Sequence, residues 1–301
     1  MKLRELEIFH AIMRGGSITE AARILGISQP AVSTALRYAE DQIGMPLFRR
    51  AHGRVEPTPE AMNLFPEVEA LFQKYQAIRR YAEDLRGMHS GLLSIASTPT
   101  LSYAYLAPAT NRFRQSRPNV RVVLYTTNTR QIVEQASTRQ IDIGIIANPV
   151  NAAELDSEVL AKSELLVVMR EGHSLAGVDV IRPRDLKDYP LITNTHHSLY
   201  DVIEEEFRRD GVELNVAIAV NHHMTTCLLL EGGDAVAIVD PWMPANIFPG
   251  LLRKKFRPSL EIQARLVWAN SRPLSRIADA FVAELRAVAA EIGALRIEAE
   301  P

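Results

Sequence analysis

The sequence predicts a mixed α/β protein with a small helical domain, one long helix and a larger α/β region. Three observations carry this prediction. Residues 1–58 contain short helical patterns separated by Gly, residues 59–86 form one continuous helical pattern, and strand patterns alternate with helices from residue 92 onward. At about 150 residues per domain, a chain of 301 residues is long enough for two cores.

Composition and charge narrow the class of protein. Hydrophobic residues make up 47% and charged residues 23%, which is typical of a globular protein, and no apolar run is long enough to span a membrane. The N-terminus lacks a signal-peptide pattern, and the lone Cys227 cannot form an intrachain disulfide. We therefore expect a cytoplasmic protein with no membrane association. Because the net charge is -2, any site for nucleic acid must be local.

The first domain begins with two helices joined by a tight turn. A first helix ends at Gly16, and Ser17 with Glu20 then has the spacing of a capping box, in which each side chain bonds the other residue's amide. Ser28 starts a third helix that has Pro30 in its first turn. Two short helices joined by a tight Gly turn predict a helix-turn-helix.

The third helix divides into a core face and a polar face. Helical spacing places on the core face Val32, Ala35, Leu36 and Ala39. The polar face shows Gln29, Ser33, Thr34 and Arg37. Gln pairs with adenine, Ser and Thr with several base edges, and Arg with guanine or phosphate. A solvated helix face has the same composition, so this face alone leaves both interpretations open.

The next segment favours the interpretation as a DNA-binding helix. Residues 45–58 read as a strand, a turn at Gly53 and a second strand, which is the pattern of a wing beside a recognition helix. This wing carries Arg49, Arg50 and Arg54, and arginines in such a position contact phosphates or the minor groove.

These segments together resemble the winged-helix domain of LysR-type transcriptional regulators. The resemblance rests on Phe9, Gly16 to Ala22, Leu25, Ser28 to Ser33, Ile43-Gly44, Pro46 to Phe48, Arg50 and Thr58. It implies a dimer or tetramer that binds an interrupted palindrome in promoter DNA, responds to a small-molecule co-inducer and works with RNA polymerase.

The resemblance also carries over residue by residue. The groove-facing part of the family's recognition helix is matched by Gln29, Pro30, Ser33, Thr34 and Arg37, and its wing by Arg50 and Arg54, with Ser28 and Arg49 beside them as further candidates. One departure is Glu60-Ala61, where the family usually has Ala-Gly. An acid near a helix N-terminus is favoured by the helix dipole, so we expect the fold to tolerate it.

Residues 59–86 are predicted to form a linker helix that dimerises. Apolar residues follow each other at alternating spacings of four and three, namely Leu64, Val68, Leu71, Tyr75, Ile78, Ala82 and Leu85. Such a heptad seam favours a partner helix over a helix that only covers its own domain, and the family's linker helices pair antiparallel. Residues 87–91 form a short hinge.

From residue 92 the strand and helix patterns alternate, which predicts parallel sheets with right-handed crossovers. We predict strands at 92–96, 120–124, 141–146, 165–169, 191–193, 216–220, 235–239 and 265–269, with helices at 104–115, 129–139, 199–210, 225–231 and 274–292. The region resembles the family's effector domain, which has the two-lobed fold of type 2 periplasmic binding proteins. We place lobe I at 92–163 and 268–301 and lobe II at 164–267, with crossings near Ser163 and Trp268.

The effector site is predicted in the cleft between these lobes, because ligands bind beyond the carboxyl ends of strands. The loops there are rich in hydroxyl and amide groups, and the candidates are Thr98, Thr100, Asn128, Thr129, Asn148, Asn194, His196, Met224, Thr225 and Thr226. These groups suit a carboxylate held by helix N-termini, although the same residue types are also ordinary helix caps. The pattern up to Ser33 resembles regulators of lysine biosynthesis and of opine or amino-acid catabolism, which implies an amino acid, an opine or a related effector.

Other classes of function lack their motifs. The pairs His196-His197 and His222-His223 lack the His-His spacing of a zinc helix, and the single Cys227 cannot form a Cys-rich zinc site, so we expect no metal. No nucleotide-binding loop or catalytic signature is present, so we expect no cofactor and no enzyme activity. The alternative is a solute-binding protein or an enzyme of amino-acid metabolism that shares the effector-domain fold. A gel shift with promoter DNA separates these alternatives.

Overall fold

The computed structural model describes residues 1–51, 54–84, 91–193, 200–220, 222–243 and 247–298. The chain divides into two units, Met1–Tyr81 and Ala82–Pro301. None of the helices in the described ranges is long and apolar enough to cross a membrane.

The first unit contains the predicted helix-turn-helix, wing and linker helix. Its elements are α1 Leu3–Gly15, α2 Ile18–Leu25, α3 Gln29–Ile43, β1 Phe48–Ala51, β2 Arg54–Pro57 and α4 Pro59–Asp84. β1 and β2 pair antiparallel, with Arg49 opposite Glu56. Gly16, Gly26 and Gly44 end the three helices with positive φ, a conformation that costs Gly little.

At the start of α2, only one of the two hydrogen bonds of the predicted capping box forms. The Ser17 hydroxyl accepts a 3.1 Å hydrogen bond from the Glu20 amide. The Glu20 carboxylate accepts from the Arg23 guanidinium instead of from the Ser17 amide, and this ion pair lowers the pKa of Glu20. The prediction that Ser17 caps α2 is therefore confirmed. The predicted bond from the Ser17 amide to the Glu20 carboxylate is wrong, because Arg23, one turn ahead on the same helix face, binds this carboxylate instead.

Two small cores hold the first unit together. Residues of α1, α2 and α3 pack around Ile8, Ile12, Ala21 and Val32, while Phe9 packs with Leu47, Ala61 and Val68. The second cluster fixes the start of α4 on the winged helix. Leu64 and Val68 of the predicted seam therefore face their own unit, whereas Leu71, Tyr75 and Ile78 are exposed. The later seam residue Leu85 and the hinge residues 87–90 lie outside the described residues.

The second unit alternates strands and helices. In chain order its strands are β3 Gly91–Ser97, β4 Val120–Thr126, β5 Ile143–Ala147, β6 Leu155–Glu164, β7 Leu166–Arg170, β8 Val180–Ile181, β9 Leu191–Thr193, β10 Val216–Ala219, β11 Val236–Val239, β12 Leu251–Phe256 and β13 Glu261–Ala269. Its helices are α5 Pro99–Leu101, α6 Ala107–Ser116, α7 Thr129–Ser137, α8 Tyr200–Arg209, α9 His223–Glu231 and α10 Arg276–Glu298. A π-helical turn at Ser102–Leu106 joins α5 to α6.

Lobe I is a five-stranded sheet in the order β4-β3-β5-β13-β6. As predicted, β3, β4 and β5 are parallel, whereas β13 runs antiparallel to β5 and β6. Gly144 lies where β5 meets α7 and β13. A Cβ there would come within 2.5 Å of Ile132 Cγ2 and 2.6 Å of Val267 Cγ2, so only Gly lets these elements pack this closely.

Lobe II is a six-stranded sheet in the order β10-β9-β11-β7-β12-β8. The predicted strands at 165–169, 191–193, 216–220 and 235–239 all lie in it. The strands β9, β10 and β11 are parallel, so their carboxyl ends lie along one edge. This edge carries the start of α9 and the residues that follow β11.

The predicted boundary between the lobes is wrong at one crossing. The chain leaves lobe I between Glu164 of β6 and Leu166 of β7, as predicted. It returns between Phe256 of β12 and Glu261 of β13 rather than near Trp268, which pairs with Asp156 inside the lobe I sheet. The error follows from reading only 265–269 as a strand, because the polar residues at the start of β13 hide its true length.

Candidate DNA-binding surface and effector cleft

The polar face of α3 is exposed, as the predicted recognition surface requires. Gln29, Pro30, Ser33, Thr34 and Arg37 are all exposed, while Val32, Leu36 and Ala39 on the other face are buried. The Ser28 hydroxyl accepts a 3.4 Å hydrogen bond from the Ala31 amide. Ser28 therefore caps α3, and its hydroxyl hydrogen stays available for another acceptor.

Glu40 fixes the wing to the recognition helix. Its Oε1 atom accepts hydrogen bonds from the amides of Leu47 at 2.8 Å and Phe48 at 3.0 Å. The Thr58 hydroxyl closes the other end of the wing, since it lies 3.1 Å from the carbonyl oxygen of Leu47. These bonds attach the wing directly to α3. The exposed face of α3 and the wing therefore form one continuous surface, which suits a DNA groove and its flanking phosphates.

The three wing arginines lie on the paired strands. The Arg49 guanidinium is exposed and lies 3.7 Å from the Glu56 carboxylate. The backbones of Arg50 and Arg54 belong to β1 and β2, and their side chains lie outside the described part. An exposed ion pair of this kind contributes little to stability, so Arg49 can exchange Glu56 for a phosphate.

In lobe I, the predicted effector residues follow β3, β4 and β5. The Thr98 hydroxyl oxygen is buried and has no hydrogen-bond partner in the described ranges. Asn128 caps α7 through a 2.9 Å bond from the Gln131 amide to its Oδ1, and Thr129 is the first residue of that helix. Asn148 has a positive φ of 65° and accepts a 3.0 Å bond from the Gln263 amide.

The amide side chains of Asn128 and Asn148 thus have structural partners. The Asn128 side chain is exposed, so its NH₂ group is accessible, whereas Asn148 links the end of β5 to β13. Among the lobe I candidates, Thr98 and Thr100 are the ones with hydroxyls directed into the interior of the unit. Their effector roles stay predictions.

In lobe II, the candidates lie at the start of α9. His222 caps this helix through a 3.2 Å bond from the Met224 amide to its Nδ1. Met224 packs on the apolar cluster of Ile192 and Leu251, Thr225 is exposed, and Thr226 is buried. Asn194 and His196 lie outside the described residues.

The two lobes meet at Asp240, a residue that the sequence analysis did not select. Its carboxylate directly follows β11 and is 2% exposed. Oδ2 accepts a 3.0 Å hydrogen bond from the Thr100 hydroxyl of lobe I and lies 3.4 Å from His223 Nε2, while Oδ1 accepts from the Trp242 amide at 3.1 Å. The available signal was an acid directly after the apolar run 235–239, at the edge where ligands bind.

Chemically, the cleft combines an acid with hydroxyls and helix N-termini. The N-termini of α7 and α9 favour a negative group, and Asp240 favours a positive one. In the described part of the chain, no cluster of three or more His, Cys, Asp or Glu residues is placed to hold a metal. These groups are of the types that bind small polar molecules.

Comparisons with known proteins agree with this division. Residues 3–62 match the family model described as bacterial regulatory helix-turn-helix protein, lysR family, and residues 86–290 match the LysR substrate binding domain. The chain is 29% identical over 289 residues to the transcriptional activator protein LysR of Escherichia coli K12, covering 95% of this chain and 93% of that protein. It is 28% identical over 294 residues to the octopine catabolism/uptake operon regulatory protein OccR of Rhizobium meliloti, covering 94% and 95%.

Solved structures show the same fold. Full-length CbnR, crystallised in complex with its target DNA, superposes with a TM-score of 0.75 at 20% identity, over 96% of this chain and 100% of CbnR. These relatives are transcriptional regulators and not enzymes. On the two matched family models, this chain belongs to the LysR family of bacterial transcriptional regulators.

Proposed function

We propose that this regulator binds a specific promoter sequence and changes its activity there when a carboxylate effector, such as an amino acid or an amino-acid derivative, enters the cleft between its lobes. The observation that carries the proposal is the direct contact of the two lobes at Thr100 and Asp240. A small molecule that binds between these residues must change how the lobes meet, which gives a ligand a way to act on the rest of the protein.

The exposed face of α3 supports sequence-specific binding. Ser33, Thr34 and Arg37 provide donors and acceptors for base edges in a major groove, and Gln29 and Pro30 lie at the start of the same helix, where recognition helices approach the bases. The wing arginines Arg49, Arg50 and Arg54 supply positive charge for phosphates. For the α3 residues and Arg49 these assignments follow from exposure and residue type, and for Arg50 and Arg54 from residue type and position on the wing strands.

The carboxylate class follows from the cleft. The Thr98 hydroxyl has no hydrogen-bond partner among the residues that the structure describes, although its oxygen is buried, and buried polar atoms are normally satisfied. A ligand oxygen can supply the missing partner, and the N-terminus of α7 beside it favours a negative charge. Thr129, Thr225 and Thr226 are further donors at the two helix starts, with Asn194 and His196 proposed from the sequence alone.

Self-association is part of the proposal. Three apolar residues of α4 continue the heptad spacing and are exposed, namely Leu71 by 41%, Tyr75 by 45% and Ile78 by 66%. A heptad seam of this kind packs against another helix, and we propose that this helix is α4 of a second copy of the chain. A dimer or tetramer places two or more α3 helices on an interrupted palindrome. RNA polymerase is then the proposed partner at the promoter.

A gel shift with the intergenic DNA beside the gene tests the proposal. The full chain is expected to retard this fragment in the presence of an approximately thousandfold excess of random DNA, and an Arg37→Ala variant is expected to show a smaller preference for the fragment. Equal competition by random DNA would contradict sequence-specific binding. Thermal shift with a panel of amino acids and simple carboxylates tests the effector, because a ligand of the native state raises the melting temperature.

A further inference from the structure

Asp240 is a buried acid that lacks a permanent positive partner. Its side chain is 2% exposed, and no Arg or Lys of the described residues lies within ion-pair distance of it. Its hydrogen bonds come from the neutral Thr100 hydroxyl and the neutral Trp242 amide. The ion-pair partner that the structure shows is His223, whose Nε2 lies 3.4 Å from Oδ2, and a histidine is positive only when protonated. A buried carboxylate beside such a partner is costly, so this position is expected to have a reason other than stability.

The place of Asp240 in the fold indicates that reason. It directly follows β11, which runs parallel to β9 and β10, so the three strands end at the same edge. Thr100 follows β3 at the corresponding edge of lobe I. The carboxylate therefore lies where lobe I contacts lobe II. His223 Nε2 lies 3.4 Å from Oδ2, so the first residue of α9 also contacts this carboxylate.

On these observations, and resting on the function proposed above, we propose that Asp240 binds a positively charged nitrogen of the effector, which takes the place of the Thr100 hydroxyl. The effector is then an amino acid or another ligand carrying an ammonium or guanidinium group together with a carboxylate. The Thr100 hydroxyl holds the Asp240 oxygen in the absence of ligand. A nitrogen that replaces this hydroxyl breaks the hydrogen bond between the lobes as it forms its own bond to Asp240. The same Asp240 oxygen thus recognises the ligand and controls the contact between the lobes.

The residues around Asp240 fit such a ligand. A charged nitrogen bonded to Oδ2 lies at the junction of β3, β11 and α9. The Thr98 hydroxyl, which has no partner within the described ranges, lies two residues before Thr100. Asp240 thus receives the positive end, and Thr98 with the helix N-termini receives the carboxylate. A simple carboxylate without nitrogen would bring a second negative charge toward Asp240, which like-charge repulsion disfavours.

Matched ligand pairs test this proposal on the full-length protein by calorimetry. Each pair differs in one positive nitrogen: L-arginine and L-citrulline, L-lysine and L-norleucine, L-leucine and its 2-hydroxy analogue. We expect at least one nitrogen-bearing member to bind the wild type at least about 30-fold more tightly than its neutral twin. If no member with the additional nitrogen binds more tightly than its twin, the proposal is overturned.

The Asp240→Asn variant locates the effect. Asn keeps both hydrogen bonds, because its Oδ1 accepts from the Trp242 amide and its NH₂ can donate to the Thr100 oxygen, and a circular dichroism melt checks that the variant folds. We expect the difference within the pair to fall below about threefold in Asp240→Asn. Asp234→Asn is the matched control, since Asp234 precedes the same strand β11, is 71% exposed and pairs with Arg170. We expect it to keep the wild-type difference.

The remaining outcomes separate this proposal from the proposed function. A preference for the nitrogen that survives in Asp240→Asn would overturn the assignment of Asp240. A wild type that binds its operator and responds to a carboxylate without a positive nitrogen would also overturn it, while leaving the proposed function intact. If Asp240→Asn does not fold, the ligand pairs on the wild type still decide the effector class.

Discussion

The Thr100 hydroxyl and the Asp240 carboxylate, 140 positions apart in the chain, form a 3.0 Å hydrogen bond that joins lobe I to lobe II. The rings of Tyr105 and Trp242 meet beside it, with centroids 6.4 Å apart. The proposed effector site and the contact between the lobes therefore share residues. Substitutions here are expected to change both stability and effector response, whereas substitutions on α3 are expected to change DNA binding alone.

The first prediction concerns base recognition by α3. Replacing Ser33 and Arg37 by Ala together is expected to weaken operator binding by about 1 to 3 kcal/mol per lost base contact, with a much smaller effect on random DNA. Both residues are exposed, so the fold is expected to be unchanged. Fluorescence anisotropy on the two DNAs measures the difference, and Arg23→Ala on α2 is the control for removing an exposed arginine. Equal weakening on both DNAs would show that the pair contacts only phosphates.

The second prediction concerns the charge of the wing. Arg49→Ala is expected to lower affinity on every sequence and to reduce the slope of log K against log salt by about one, because one phosphate contact is lost. Glu56→Gln is expected to act in the opposite direction on affinity, since it releases Arg49 from its 3.7 Å ion pair. Affinity titrations at four salt concentrations measure both effects. An unchanged slope in Arg49→Ala would show that Arg49 contacts no phosphate and only pairs with Glu56.

The third prediction concerns self-association through α4. Ile78→Asp is expected to weaken the dimer by roughly tenfold to hundredfold, because a large apolar side chain contributes about 1.5 to 3 kcal/mol when it is buried. Met62→Asp is the control, since Met62 is an exposed apolar residue of the same helix outside the heptad seam. Sedimentation equilibrium measures the association constant. A dimer that is equally stable in both variants would place its interface elsewhere.

Local features of the fold could be predicted because they depend on neighbouring residues. Ser17 and Ser28 cap α2 and α3 as their spacing indicates. The strand β12 was missed because Arg253, Lys254 and Lys255 interrupt its apolar pattern, although it pairs with β7 and β8.

The candidate site was less predictable than the fold. Asn128 was selected correctly as a residue at a strand end, yet its Oδ1 caps α7, and a sequence does not distinguish a cap from a ligand contact. Asp240 was missed because its partner Thr100 is remote in the sequence, and no local pattern encodes a contact that depends on how two lobes pack.

The fourth prediction concerns Cys227, the one cysteine of the chain. Burial raises the pKa of its thiol to about 11, so only about one thiol in a thousand is ionised at pH 8, and the thiolate is the reactive form. Peroxide is expected to leave DNA binding and effector response unchanged, and alkylation is expected to accelerate about tenfold per pH unit up to pH 11. The native protein is compared with the urea-unfolded protein, which is expected to react much faster. Loss of operator binding after peroxide that is absent in Cys227→Ser would contradict this expectation.

The last prediction concerns Thr100. Thr100→Val keeps the shape of the side chain and removes the donor to Asp240, so the free energy of unfolding of the second unit is expected to fall by about 1 to 3 kcal/mol. Thr110→Val is the control, because it also loses one hydrogen bond, from its hydroxyl to the Leu106 carbonyl, but within a helix. Operator binding without effector is expected to survive in both variants, since α3 belongs to the first unit.

The effector response of Thr100→Val has a sign that distinguishes two roles. If the effector replaces the Thr100 hydroxyl on Asp240, the variant has lost the competitor, and its affinity for effector is expected to rise by up to about tenfold relative to the wild type and to Thr110→Val. If Thr100 instead donates directly to the effector carboxylate, as the sequence alone predicts, the affinity falls tenfold to hundredfold, because a hydrogen bond to a charged group contributes about 1.5 to 3 kcal/mol. Calorimetry with the tightest ligand of the panel measures the sign, and a fall would remove Thr100 as the residue that the ligand nitrogen displaces.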